Sequence, residues 1–280
     1  TLPKVRYTER PDVAAQHILE GHIVIIVDTS PSIIILPATY FHHIQHAEEY
    51  RQSPTVGVYL RWVRFVAIFV SIFLLPLWFL VSIEPSLLPA SLQYIGPDKV
   101  GKVPLIGQFV IAEGAVDVIR MAAIHTPAPL TTSLGLIAAL MIGDFAVTIG
   151  LFAPEVVMYT AVAATTIFAT PSYELGMAHR LARWVLLLAV YFLKIPGFFI
   201  GTLALILVTG LTKSFGVPYL WPLVPFNYTA LKTILLRTPV PAQRERPSFL
   251  YPQDPTRQTA KPAPAFKPMP KGEDDSIERE

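Results

Sequence analysis

The pattern of apolar and polar positions over the first sixty residues predicts a small soluble α/β unit. A helix is expected to begin at Pro11 and to end near Gly21, because proline suits the first turn of a helix and glycine suits its end. Two β-branched runs follow, His22–Asp28 and Ser32–Leu36, and the short turn between them predicts two adjacent strands. The chain does not begin with methionine, so we expect residues 1–58 to be the C-terminal remnant of a soluble cytoplasmic α/β domain.

Long apolar runs then predict a helical membrane domain over residues 59–238. Trp62–Ile83 is long enough, at about 1.5 Å per residue, to cross a hydrocarbon core of about 30 Å. Arginines precede this run and no basic residue follows it before Leu92, which places the amino terminus in the cytoplasm. The other predicted spans are 105–124, either a crossing or a re-entrant segment, 134–152, 155–170, and 184–211, either one kinked helix or a hairpin.

The number of crossings depends on the two ambiguous segments. Basic residues after 211 return the carboxyl terminus to the cytoplasm, which requires an even number of crossings. Arg180 and Arg183, just before 184–211, favour the count that follows. Counting 105–124 and both halves of 184–211 gives six crossings. Four spans with a re-entrant 105–124 is the alternative.

Composition supports a mainly α fold class, a polytopic helical membrane protein with a small α/β cytoplasmic remnant at the N-terminus. The 280 residues are 52% hydrophobic and 15% charged, with a mean hydropathy of +0.50, which is too apolar for an ordinary soluble domain. A net charge of +2 gives no electrostatic reason to expect a nucleic acid partner. From Pro239 the chain becomes rich in proline and charge, and we expect residues 239–280 to be a disordered cytoplasmic tail.

Ionisable residues inside the predicted spans are the candidate functional residues. Each costs about 2.5–3.5 kcal/mol at the centre of a spanning helix unless it faces water or a partner. Glu113, Asp117 and Arg120 are spaced i, i+4 and i+7, so one helix face gathers all three. Asp144 lies near the middle of 134–152 among small residues, and Lys194 stands beside a Pro-Gly pair. We predict that these five residues line an aqueous path.

Other interpretations of the same residues stay open. Residues 105–124 also fit an amphipathic helix in the headgroup layer, and Asp117 with Arg120 also fits a structural ion pair. Asp144 also fits a buried carboxyl group that is hydrogen-bonded to a neighbouring helix. Lys194 fits either a broken-helix site or a side chain that reaches an interface.

The sequence carries little sign of catalysis or of a metal site. His42 and His46 stand one helical turn apart with Glu49 three residues further on, which is a spacing that can bind a metal. We favour an ordinary surface helix, because surface helices commonly mix histidine with glutamate. The chain has no cysteine and none of the common phosphate-binding, zinc-protease or nucleophile motifs. We therefore predict no enzyme, no cofactor and no metal.

Four separated segments carry a resemblance to a known family. They are ILEGHIVIIVDTSPSIII (Ile18–Ile35), FHHIQHAEEYRQSP before the first span, PSYELGMAHRLAR (Pro171–Arg183) and SFGVPYLWPLVPF (Ser214–Phe226). Together, and in this order, they resemble the GerA-type spore germination receptor A-subunit family over residues 6–250. The resemblance implies a soluble cytoplasmic region followed by a polytopic domain in the spore inner membrane. It also implies ring-like oligomers that release monovalent cations, with other germination membrane subunits as partners.

Residues and resemblance together lead to one functional hypothesis and two rivals. The hypothesis is an oligomeric cation-conducting channel in the lipid bilayer, in which copies of the 105–124 helix present acidic side chains to the path. A secondary transporter is the first rival, because Lys194 lies at a break in an apolar run. A non-conducting scaffold or accessory subunit is the second rival, with the charges acting only between helices.

Overall fold

The chain combines a small N-terminal sheet with a bundle of long helices. The computed structural model describes residues 2–125, 135, 137, 140–236 and 245–257. Its strands are β1 (Arg6–Thr8), β2 (Ile23–Ile25), β3 (Ile33–Leu36), β4 (Lys213–Ser214) and β5 (Val217–Pro218). Its helices are α1 (Pro11–Glu20), α2 (Tyr40–Ile44), α3 (Glu48–Arg51), α4 (Pro54–Ile83), α5 (Leu105–His125), α6 (Ala146–Thr148, which continues a π-helical turn at Leu140–Phe145), α7 (Pro154–Ile167), α8 (Tyr173–Leu211) and α9 (Tyr228–Leu236).

The N-terminal sheet has the order β1-β3-β2 and is antiparallel throughout. The predicted helix is confirmed as α1, which ends where Gly21 takes a left-handed conformation with φ of 100°. The predicted pair of neighbouring strands is also confirmed, as β2 and β3. The sequence prediction missed β1, because three residues are too few to show a strand period.

Histidine side chains form part of the core of this N-terminal region. The rings of His17, His22 and His42 lie within 4.9–5.9 Å of one another, and all three are buried. Burial, together with a smaller effect of the neighbouring His17, lowers the pKa of His22 to about 3. His43 is fully buried as well. The prediction of an ordinary surface helix here is therefore wrong.

The long helices run in alternating directions between two ends of the bundle. The near end is the one beside the N-terminal sheet, and the far end is the one where Glu84 and Lys194 meet. Helix α4 runs from the near end to the far end. Helices α5 and α7 run back, since α5 begins beside the loop at 101–103 and Ala169, just after α7, contacts the first turns of α4. This alternation is the one that a six-crossing topology requires, and the crossing of a membrane itself stays a prediction.

Helix α8 is a hairpin of two arms, residues 173–193 and 195–211. Lys194 is non-helical, with φ of 54° and ψ of −128°. A Cβ added at Gly201 would lie 3.4 Å from the Cβ of Ala189 and 2.9 Å from Leu186 Cδ2. In a straight helix residues 189 and 201 would be about 18 Å apart, at 1.5 Å per residue. Of the two predicted geometries for this apolar run, the hairpin is the one observed.

The core of the bundle is apolar and lies toward the far end. It joins Leu75 and Trp78 of α4, Phe109 of α5, Val156 of α7 and Leu187 of α8. Among the described residues, two helices, α4 and α8, are by length and composition apolar enough to cross a membrane. The described residues are thus mainly helical, as the sequence predicts. The predicted span 134–152 is described only in part, because residues 134, 136, 138 and 139 lie outside the described residues.

Residues 245–257 differ from the predicted disordered tail. This segment has a bridge between Glu245 and Thr256, and Phe249 is 5% exposed against Trp221, with ring centroids 4.5 Å apart. The structure holds the segment because Phe249 fills a gap between Trp221 and the histidine core. The rest of the predicted tail, 239–244 and 258–280, lies outside the described residues.

The hairpin predicts a cross-link between its arms. A chain with Ala189→Cys and Gly201→Cys should form a disulfide, because the two Cβ atoms would be 3.4 Å apart, close to the range of about 3.5–4.5 Å that disulfides use. The chain has no native cysteine to compete. Mass spectrometry of peptides from the oxidised protein measures the yield. The pair Ala189→Cys with Gly210→Cys is the control and should stay reduced, and equal yields for both pairs would contradict the hairpin.

The histidine core predicts a stability that falls in acid. Because the pKa of His22 is about 3 in the fold and about 6.5 in the unfolded chain, unfolding takes up a proton between these values. The free energy of unfolding should therefore fall as the pH drops from 6.5 toward 3, by up to about 1.4 kcal/mol per pH unit from this one group. His22→Phe keeps an aromatic ring and should show a shallower slope in thermal unfolding. Identical slopes would refute this assignment.

A candidate site of paired charges between the helices

Glu113 lies inside the bundle, in an ion-pair cluster between α5 and α8. Its side chain is 0% exposed, and its carboxylate accepts a hydrogen bond from Arg183 at 2.6 Å. Arg183 also donates to the carbonyl of Ser71 on α4, at 2.7 Å. Arg180 donates to the backbone carbonyl of Glu113 and pairs with Asp117 at 2.5 Å. The cluster therefore ties α4, α5 and α8 together at the level of Glu113.

This geometry departs from the exposed position expected for Glu113. The residue meets two arginines instead of open space, so in the single chain it acts as an anchor between helices. A buried carboxylate needs such partners, because the loss of hydration is offset only by close opposite charge and hydrogen bonds. Its predicted role in lining a path stays a prediction that rests on the assembled protein.

Asp117 and Arg120 lie where this cluster opens to the surface. The Asp117 side chain is 38% exposed. Both residues line a cavity of about 460 Å³ together with Arg180, Tyr173 and residues of the first arm of α8. Arg120 lies over the ring of Phe168, 5.0 Å from its centroid, and its guanidinium is 3.8 Å from a methionine sulfur of α8. The structure therefore brings two of the predicted residues to one water-accessible cavity.

Asp144 is exposed on the outside of the chain. It belongs to the π-helical turn Leu140–Phe145, a distortion that is frequent at functional sites. The carbonyl of Gly150, six residues later, accepts a hydrogen bond from Lys102 in the loop at the far end. Asp144 lies four residues before the end of α6 at Thr148, or about 6 Å at a rise of about 1.5 Å per residue. The structure does not bring it together with Glu113 or Asp117.

Lys194 is apart from the other predicted residues. It sits at the turn of the α8 hairpin and pairs with Glu84, the residue after α4, at 2.7 Å. Its side chain is 61% exposed. An exposed ion pair of this kind contributes about 0–1 kcal/mol, so its effect on stability is small.

The sequence analysis missed Arg180 and Arg183 as members of the site. It treated them as basic residues that precede a span, which would begin at 184, whereas α8 begins at Tyr173. A signal was present: the two arginines are spaced i, i+3, and Glu113 and Asp117 are spaced i, i+4. Two complementary pairs at helical spacing on two apolar helices indicate a paired cluster.

A second buried cluster lies at the near end. Glu49 of α3 is 0% exposed and accepts a hydrogen bond from Arg61 at 2.7 Å, and Arg64 pairs with the same carboxylate. Arg61 also donates to the carbonyls of Thr233 and Ile234 in α9. Sequence reasoning used these arginines only for topology. The cluster fastens the short helix α3 to the first turns of α4.

The described residues contain no group of three histidine or carboxylate side chains arranged to hold a metal ion. His42 illustrates why. Its Nδ1 accepts a hydrogen bond from the backbone N–H of Thr39, at 3.2 Å, so its proton lies on Nε2. In this form Nε2 is a donor and Nδ1 is already occupied, so neither nitrogen is free to bind a metal.

Comparisons with known proteins place the chain among germination proteins. The family model described as Bacillus/Clostridium GerA spore germination protein matches residues 1–249. The chain is 53% identical over 257 residues to stage V sporulation protein AF of Bacillus subtilis, covering 92% of this chain and 52% of that protein. It is 29% identical to spore germination protein KA of B. subtilis, covering 95% of this chain and 50% of that protein. It is 30% identical to spore germination protein GerLA of Bacillus cereus, covering 91% of this chain and 52% of that protein.

The comparisons have two further outcomes. The chain spans about half the length of the curated relatives it matches. No solved structure matches it. The family predicted from the four sequence segments is confirmed.

The buried cluster predicts that Glu113 stabilises the fold more than Asp144 does. Glu113→Ala leaves the guanidinium of Arg183 buried without its partner, which should lower the free energy of unfolding by about 3–5 kcal/mol. Asp144→Ala removes an exposed carboxylate and should change it by less than about 0.5 kcal/mol. Thermal unfolding of the purified proteins in detergent compares the two. Equal stability of both variants would contradict the anchoring role of Glu113.

Proposed function

Because the chain belongs to the GerA family of spore germination proteins, we propose that it is a membrane subunit that assembles into an oligomeric, cation-conducting channel. Its partners are the lipid bilayer of the spore inner membrane, further copies of itself, other germination subunits and the monovalent cations that pass. The chain spans about half the length of its relatives, so the activity of a whole protein of that length is part of this proposal.

Apolar surface on the helices supports the membrane setting. Phe199, Leu203, Ile206 and Leu207, all on the second arm of α8, are more than half exposed. In water such a surface would be costly, whereas in a bilayer it contacts lipid or another subunit. Both described ends of the chain lie at the near end, where basic residues concentrate, so the near end is cytoplasmic in this proposal.

The observation that carries the proposal is the exposed carboxylate of Asp144 on an otherwise apolar helix surface. A carboxylate that faced the hydrocarbon core of a bilayer would be unfavourable. Assembly removes this cost if another copy or a water-filled path covers the residue. A ring of copies would then repeat the acidic group around an axis, and acidic rings attract cations.

The cavity beside Asp117 and Arg120 supplies a second wet region on the same chain. The carboxylate of Asp117 pairs with Arg180 through one oxygen, and the partly exposed side chain also lines the cavity. In this proposal Glu113 holds α5 in register, so that Asp117 and Arg120 keep facing the cavity. Exposed apolar residues of the same helix, such as Val110, provide the constriction that closes the path by excluding water.

The position of Lys194 argues against the transporter rival. Broken helices of transporters bind their substrates near the middle of the membrane. Lys194 lies instead at the far end, paired with Glu84 outside the apolar core. The scaffold rival gains support from the anchoring role of Glu113, and conductance measurements separate it from the channel.

Reconstitution of the purified chain in a planar bilayer with potassium chloride tests the function. We expect unitary current steps that favour potassium over chloride. Asp144→Asn should lower this preference by about tenfold or less, because it removes one charge per copy and leaves the fold intact. The matched control is Asp98→Asn, the same change in the far-end loop, which should leave selectivity unchanged.

Each contrary outcome has a distinct meaning. A bilayer that stays silent, but conducts once another germination subunit is added, would favour the scaffold. Saturable flux without current steps would favour the transporter. Steps whose selectivity is the same in Asp144→Asn and in the unsubstituted chain would remove Asp144 from the path.

A further inference from the structure

A second cavity lies outside the helical bundle, between α1, α3 and the segment 245–257. Its volume is about 230 Å³, which is below the roughly 300–1,000 Å³ of pockets for drug-sized molecules and suits a small one. Its polar lining includes Arg6, Gln16, His17, His46, Arg51 and Arg257. The channel proposal does not use this cavity.

The carboxylates at this cavity already have basic partners. Asp12 pairs with Arg10 at 2.8 Å and with Arg51 at 3.4 Å. Glu20 pairs with Arg257 at 3.6 Å. The two acidic side chains in the lining are therefore already paired with other arginines. One further arginine of the lining has no such ion pair with any residue that the structure describes.

Arg6 is that arginine. It donates to the backbone carbonyls of His42 at 2.6 Å and Gln45 at 3.1 Å. In the part of the chain that the structure describes, no carboxylate lies within ion-pair distance of it. A guanidinium has five N–H donors, so two bonds to carbonyls leave donors available to the cavity. Burial lowers the pKa of Arg6 to about 10, and smaller opposing effects come from Tyr50 and Glu20.

We propose that this cavity binds a small oxyanion, a carboxylate or a phosphate, through the guanidinium of Arg6. A planar guanidinium matches either group with two parallel hydrogen bonds, and a partly buried one binds more strongly than one in water. Arg51 and Arg257 also line the cavity, and each is paired with a carboxylate of the same lining. The bound anion supplies a negative charge in direct contact with Arg6, which none of the described carboxylates does; Glu20 acts on it only from a distance.

The position of the cavity connects such a ligand to the first long helix. Tyr50 lines the cavity, and its hydroxyl accepts a hydrogen bond from Arg61 of α4 at 3.2 Å. Glu49, the residue before it, pairs with the same arginine. An anion held by Arg6 and Arg51 therefore rests on the short helix α3, which is bonded directly to α4.

Calorimetric titration of the purified chain in detergent tests the site. The probes are inorganic phosphate and sodium succinate, each at constant ionic strength with chloride as the balancing anion. We expect saturable binding at one site for at least one probe, and the probe that binds identifies the source of the oxyanion. Arg6→Gln should weaken binding by about tenfold or more, the effect of losing a charge-assisted hydrogen bond.

The matched control is Lys4→Gln, two residues before Arg6. It removes one positive charge from a side chain that is exposed, and it should leave the affinity unchanged. Should Arg6→Gln fail to fold, Arg51→Gln decides, because that side chain is 60% exposed and its loss should weaken binding several-fold. The absence of binding for both probes overturns the proposal. Binding that neither arginine variant weakens more than Lys4→Gln also overturns it. These results do not depend on whether the chain conducts ions.

Discussion

A charge enclosed between apolar helices needs a partner of opposite charge, and this constraint fixes how the helices of the chain are placed. Glu113 can be buried only because Arg183 and Arg180 reach it from α8. Glu49 can be buried only because Arg61 and Arg64 reach it from α4. Removal of one member leaves an uncompensated charge, a loss far larger than that of a surface ion pair. The two clusters therefore specify the arrangement that apolar packing alone would leave less defined.

The register of α5 follows from the first cluster. Since Glu113 must point at α8, helical geometry turns Asp117 and Arg120 to nearly the same face, one and two turns later. The face that is buried at Glu113 opens, at Asp117, into the cavity that α8 lines on its other side. One helix face thus carries a structural charge at one level and water-accessible charges at the next. The depth and the helical spacing of Glu113, Asp117 and Arg120 can be read from the sequence, but they do not tell the structural charge from the charges at the cavity.

Sequence patterns predicted those features that depend on local periodicity. The apolar run from Trp62 predicted the core of α4, and the β-branched runs predicted β2 and β3. Features that depend on contacts between distant segments could not be predicted in this way. Arg180 and Arg183 are buried within a helix because Glu113 and Asp117 pair with them. In the sequence alone, a charged residue beside an apolar run predicts the end of a span. Likewise, Phe249 has a fixed place because its ring packs against Trp221 and against His22 of the histidine core.

Among the elements that the structure describes, helix α4 is the one that contacts both charge clusters. Arg61 and Arg64 bind Glu49 near its start, and the carbonyl of Ser71 accepts a hydrogen bond from Arg183 about 15 Å further along. A continuous helix transmits a shift of one end to the other, because its backbone hydrogen bonds resist compression. A movement of α3 against the N-terminal sheet would therefore shift α4, and with it the carbonyl of Ser71 that binds Arg183, the partner of Glu113. Such coupling requires that α4 has two positions of similar free energy. A ligand that bound beside Tyr50 and Arg51 of α3 would change the relative free energy of these two positions.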